Sequence, residues 1–135
     1  MDTTVIQCET GRRRGVFDIT SDVVGFTSGK GDGLLSVFVP HATAGLAIIE
    51  TGAGSDADLM DILDELVPRE DGRYRHRHGS PGHGADHVLP ALVAPSLTIP
   101  VIEGRPALGT WQSIVLVDPN ADNPRRSVRL SFLPG

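Results

Sequence analysis

Between residues 56 and 67 the apolar side chains Leu59, Ile62, Leu63, Leu66 and Val67 recur at the spacing of one helix face, more clearly than anywhere else in the chain. One amphipathic helix is therefore the main helical element, and most of the remaining core has to come from strands. Ser55 is placed to cap this helix, with Asp58 at its third position; Asp56 and Asp58 both suit the positive end of the helix dipole, and Pro68 closes it. Residues 3–9 and 15–20 predict two strands around the polar turn 10–14, paired antiparallel, and 34–39 and 46–50 predict two more. Ser21 is placed to cap a short helix carrying Val23, Val24 and Phe26, which ends near Gly29. A second short helical segment, 87–94, tolerates Pro90 only in its first turn and stops at Pro95. Residues 97–102, 107–117 and 125–133 then read as a β-meander. In its last strand Val128, Leu130 and Phe132 alternate with Arg129 and Ser131, which leaves one face wet.

No repeat or linker interrupts the chain of 135 residues, so a single domain over 1–135 is expected. A composition 39% apolar and 21% charged suits a folded domain rather than a disordered one. The net charge of −5 argues against nucleic acid as a partner, because a phosphate-tracking surface needs an excess of basic residues. Arg12, Arg13 and Arg14 form one basic run, read as a solvated loop. Cys8 is the one cysteine, so no internal disulfide is possible, and its position in an apolar strand predicts a buried, inert thiol. No apolar run is long enough to span a membrane, and no basic region followed by an apolar run suggests export; the expected location is the cytoplasm.

Residues 69–85 hold many charges and almost no aliphatic side chain, which predicts a long loop, and loops of that length in a small domain are usually functional or disordered. Four of the five histidines, His76, His78, His83 and His87, lie in it or at its end. Either they bind a metal or they make a solvated polar loop. With one cysteine, any centre must be built from histidine and carboxylate, a donor set that suits zinc, nickel, iron or manganese. Glu50 ends an apolar strand, where an inward carboxylate would need a cation or a donor. Trp111 reads as a core residue within a strand, with Gln112 on the opposite face. Arg125, Arg126 and Arg129 either offer forked donors to a phosphate or carboxylate, or serve an edge strand or a subunit contact. Phosphate-binding loops, dinucleotide fingerprints and serine elbows are absent from the sequence.

The string His41-Ala42-Thr43-Ala44-Gly45-Leu46 followed by Glu50, then the helix carrying Asp58 and ending at Pro68, resembles the YjbQ-like family. Tyr74-x-His76, His87 thirteen residues beyond Tyr74, and Gly104 leading to Leu108-Gly109-Thr110-Trp111-Gln112 extend the resemblance over nearly the whole chain. It implies an α+β fold with a mostly antiparallel sheet, a homotrimer, and a polar pocket with His41, His76 and His87 as ligands of a divalent metal, zinc first. It also implies a secondary thiamine-phosphate synthase activity, weak or incidental, on a small phosphorylated metabolite. Within that pocket Glu50 or Asp58 is the expected catalytic base, with Thr43, Tyr74, Gln112 and Arg126 holding substrate; His78 and His83 are peripheral. This chain departs from the family pattern at Gly52-Ala53-Gly54, where relatives carry an acidic residue, and at His83, which occupies an acidic or amide position. Loss of pyrophosphate normally calls for magnesium on oxygen ligands, for which histidines are a poor site, so Lewis-acid activation of water or a phosphate oxygen is the more natural chemistry. The competing expectation is a non-enzymatic trimer that binds a metal or metabolite.

Overall fold

The computed structural model describes residues 1–135. In chain order its elements are β1 Asp2–Glu9, β2 Gly15–Asp18, α1 Thr20–Thr27, β3 Gly33–Phe38, β4 Gly45–Ile49, α2 Ser55–Leu66, α3 His83–Val88, β5 Ser96–Ile102, β6 Arg105–Pro106, β7 Ser113–Asp118 and β8 Arg125–Pro134, with 3₁₀ turns at Asp71–Arg73 and Leu89–Ala91. The strands form two antiparallel sheets, β1-β8-β3-β5-β6 and β2-β7-β4. The fold is α+β with mainly antiparallel sheet and three short helices, as the resemblance implied.

Strand β7 explains the layering. Its run Ile114-Val115-Leu116-Val117 is completely buried although neighbouring side chains point to opposite faces. Ile114 and Leu116 join the main core with Leu35, Val37, Ile99, Val128 and Leu130 of the larger sheet. Val115 and Val117 face the other way, onto Leu63 of α2 and Leu89 beyond α3. A strand covered on both faces reads as a continuous apolar run, whereas β8, covered on one, alternates.

Several local expectations change. Strands β1 and β2 do not pair: β1 lies along β8, from Asp2↔Phe132 to Glu9↔Arg125, and β2 lies along β7 in the other sheet. The 10–14 turn is a crossover held by Thr10 and Gly11 N–H donating to the Pro124 carbonyl at 2.9 and 3.2 Å, not a hairpin. The expected meander is likewise divided, since β5 pairs with β3 while β7 goes to the smaller sheet and β8 returns to the larger. The expected strand 107–117 starts only at Ser113, because Gln112 folds back, its amide oxygen accepting from Gly109 N–H at 2.7 Å. Trp111, on that turn, is exposed rather than in the core. Ser55 is the first residue of α2 and not its cap; Gly54 takes the cap position at φ 107°, with no side-chain cap bond. Helix α1 likewise starts at Thr20 without a side-chain cap. The second short helix begins at His83, four residues before the expected start, so the end of the long loop is helical.

Candidate metal centre

The His83-Gly84-Ala85-Asp86-His87 stretch of α3 sets two imidazoles four residues apart, hence on one helix face. Their Nε2 atoms are 2.8 Å apart. The preceding loop lays His76 against them, with ring centroids 4.3 Å from His87 and 5.1 Å from His83. Donor atoms of His76, His83 and His87 all lie within 4.8 Å of one another, a spacing compatible with one shared ion. His78 stacks on the outer side, 4.0 Å from His76 between centroids.

The loop is brought in by contacts its sequence did not advertise. Tyr74 OH donates to the Pro68 carbonyl at 2.5 Å, and Asp71 Oδ1 accepts from Gly82 N–H at 2.9 Å. Gly84 admits the approach: a Cβ there would stand 2.7 Å from Tyr74 Cβ and 2.9 Å from the His76 carbonyl. Behind α3, the buried Asp86 pairs with Arg69 and accepts from Asn120 Nδ2 at 2.8 Å. Arg69 also donates to the Pro119 carbonyl at 3.0 Å, so the helix is fixed to the β7–β8 turn.

Electrostatics favour metal-ready neutral rings. Burial first, then the neighbouring imidazoles, lower the pKa of His76 and of His87. The Nδ1 atoms of His76 and His83 are buried without a hydrogen-bond partner, which is costly unless something else meets the ring. Three imidazoles whose donor atoms lie this close together fit a borderline-soft divalent ion such as zinc. Beside them lies a cavity of about 140 Å³ lined by Asp71, His76, Arg77, His78, Ser80, His83 and three glycines, with no hydrophobic side chain.

His41 stands outside this group. Its Nε2 accepts from Ser127 N–H at 3.0 Å, and burial followed by the Arg126 charge lowers its pKa. Arg126 is turned inward, 1% exposed, with Nε and Nη2 on Asp118 at 2.7 and 3.0 Å and Nη2 also on Thr43 Oγ1 at 2.9 Å. His41, Thr43 and Arg126 therefore make a second polar centre. Glu50 is exposed just past β4, Asp58 is exposed in the first turn of α2, and Gln112 is exposed on its turn. Of the expected site residues, the structure brings together His76 and His87, with Tyr74 packed behind them; the third imidazole beside them is His83, while the expected His41 lies apart. The four-residue spacing of His83 and His87 carries the signal in the sequence, and it becomes one helix face because α3 starts at His83 rather than His87.

Residues 4–135 match the family model described as UPF0047 protein YjbQ-like. The protein is 67% identical to a UPF0047 protein of Mycobacterium tuberculosis across 100% of both chains. It is 33% identical to a UPF0047 protein of Archaeoglobus fulgidus across 89% of its own length and 93% of the relative's. Among solved structures it is similar to a hypothetical protein of Aeropyrum pernix, with 33% identity, 100% of both chains covered and a TM-score of 0.88. It shares its fold with a YbjQ-like protein of unknown function from Sulfolobus solfataricus, with 23% identity, 99% and 97% of the two chains covered and a TM-score of 0.90.

Proposed function

The chain belongs to the UPF0047 YjbQ-like family, and from that premise we propose that it holds a divalent metal, zinc first, at His76, His83 and His87 and acts there on a small phosphorylated metabolite. The observation that carries this reading is the convergence of three imidazole donors within 4.8 Å beside a cavity lined by no hydrophobic side chain. Three protein ligands leave a fourth position open, the usual plan of a catalytic rather than a structural zinc site. The metal would supply Lewis-acid polarisation of a phosphate oxygen or of water. Arg77 spends its Nε on the Tyr74 carbonyl at 3.1 Å and keeps its terminal nitrogens for a phosphoryl group, with Ser80 beside it.

The size of the cavity bears on the synthase activity. About 140 Å³ suits a phosphoryl group and a few waters, and falls below the roughly 300–1,000 Å³ typical of a site for a drug-sized ligand. Joining a pyrimidine-methyl pyrophosphate to a thiazole phosphate needs room for both. Thiamine-phosphate synthesis is therefore a side reaction in this proposal, with phosphate-ester chemistry as the main activity.

A homotrimer completes the proposal. Val5, Leu34, Phe38 and Leu133 lie exposed on the outward face of the larger sheet, where apolar side chains favour a subunit contact. A cytoplasmic setting accords with a single buried cysteine, and no helix is long and apolar enough to cross a membrane.

The test is elemental analysis of purified protein, followed by assays with and without added zinc on a panel of phosphate esters and on the two thiamine precursors. About one zinc per chain and turnover abolished in His87→Ala are expected. Absence of stoichiometric metal would overturn the centre; stoichiometric metal without turnover would overturn the enzymatic half and leave a metal-binding protein.

A further inference from the structure

We infer that Asp122, on the turn between β7 and β8, is the positioning carboxylate that orients His83 for metal. This rests on the three-histidine centre proposed above. The two nitrogens of His83 face different ways: Nε2 is 2.8 Å from His87 Nε2, inside the donor cluster, and Nδ1 is 3.4 Å from Asp122 Oδ2. A neutral imidazole has one proton. For Nε2 to offer its lone pair to a metal, that proton must sit on Nδ1. Nδ1 is buried and lacks an aligned hydrogen-bond partner, and 3.4 Å leaves the Asp122 carboxylate within reach of a small ring rotation. Metal-bound histidines generally donate their second N–H to a carboxylate or carbonyl in this way.

Asp122 is itself held firmly enough to serve. Its Oδ2 accepts from Ser80 Oγ at 2.9 Å and from Asn120 Nδ2 at 3.2 Å, and its own N–H donates to Asn120 Oδ1 at 2.9 Å. Asn120 is buried and tied to Asp86 in α3, the helix that carries His83 and His87. The carboxylate and the ligand helix thus share one rigid support. Once the ring turns to close that 3.4 Å gap, the hydrogen bond to Asp122 sets both the tautomer and the angle of the His83 ring.

Zinc affinity measured against a chromophoric chelator on the full-length protein, together with ¹⁵N imidazole shifts of the metal-free protein, tests this. Asp122→Ala is expected to weaken zinc binding by about 10–100-fold and to move the His83 proton from Nδ1 towards Nε2. Asp122→Asn, near in shape, keeps the turn should the alanine variant fail to fold, and is expected to weaken binding less. Zinc affinity within about twofold of wild type in a folded Asp122 variant, or an unchanged His83 tautomer, would overturn the inference while leaving the centre standing. Failure of the wild type and of His83→Ala alike to bind zinc would overturn both.

Discussion

Replacing Asp118 with alanine should destabilise the protein more than any surface change, because it strands a buried positive charge. Asp118 is 0% and Arg126 1% exposed, and the carboxylate accepts two guanidinium hydrogen bonds at 2.7 and 3.0 Å. Without it, Arg126 keeps Thr43 Oγ1 as its one side-chain partner among the observed contacts. Breaking a buried pair from one side costs roughly 3–5 kcal/mol, because the remaining ion has lost its water and its partner. Against a total of about 5–15 kcal/mol for a folded domain, that is a large share. Urea unfolding followed by far-UV circular dichroism, at fixed protein concentration, reads the loss. With a slope of about 1.5–2 kcal/mol per molar urea, the midpoint should fall by roughly 2–3 M. The paired substitution Asp118→Leu with Arg126→Met removes both charges and should recover at least half of the loss. Added salt should change little, since neither group faces solvent. A loss below about 1 kcal/mol in Asp118→Ala would refute the premise that the pair is closed to water.

Gly45→Ala should cost at least about 2 kcal/mol in the same assay, since a Cβ there collides with the Val93 carbonyl, and backbone cannot yield as a side-chain tip can; a neutral effect would show that the 93–94 segment is loosely held on β4. The Cys8 thiol, pushed up to about 11 mainly by burial, should react with an aromatic disulfide at pH 8 about 100-fold more slowly than a cysteine of ordinary pKa, from thiolate fraction alone; comparable rates in the folded protein would contradict its placement. In metal-free protein, the lowered pKa values of His41, His76 and His87 make the unfolded chain bind protons first as pH falls below about 6.5. Their contribution to stability is therefore full above that pH and lost on acidification through the folded-state values. A urea midpoint at pH 5.5 equal to that at pH 7.5 would count against it.

What could be read in the sequence was what neighbouring residues decide. Helix α2 and the alternation of β8 are written at local spacing, and both are present, although Ile62 and Leu66 of the expected apolar face stand exposed while Leu63 and Val67 are buried. Pairing is not local. The 10–14 turn has the composition of a hairpin, yet Thr10 and Gly11 bond to Pro124, and β1 and β2 part into different sheets because each finds its partner near the other end of the chain. Residue type alone predicts a core position for Trp111; a glycine-bounded turn stabilised by Gln112 holds it outside.

The site divides along the same line. His76 and His87 were marked by their spacing from Tyr74, but the third member depends on where α3 begins, and Gly82 with φ 84° starts it at His83. The residues that support the site were harder still to see, because the 118–122 segment looks like any polar turn. Its polar groups are spoken for by residues outside the turn. Asp118 holds Arg126 and, through it, Thr43 beside the His41 loop; Asn120 holds Asp86 of α3; Asp122 faces His83. Within the turn, Asn120 N–H donates to Asp118 Oδ1 at 3.0 Å and Asp122 N–H to Asn120 Oδ1 at 2.9 Å. One short turn therefore fixes the histidine cluster and the buried arginine relative to each other, and a change at Asn120 should disturb both centres where a change at Asp122 disturbs only the cluster. That difference separates a shared scaffold from two independent polar sites: zinc affinity and urea midpoint should fall together in Asn120→Ala, and affinity alone in Asp122→Asn.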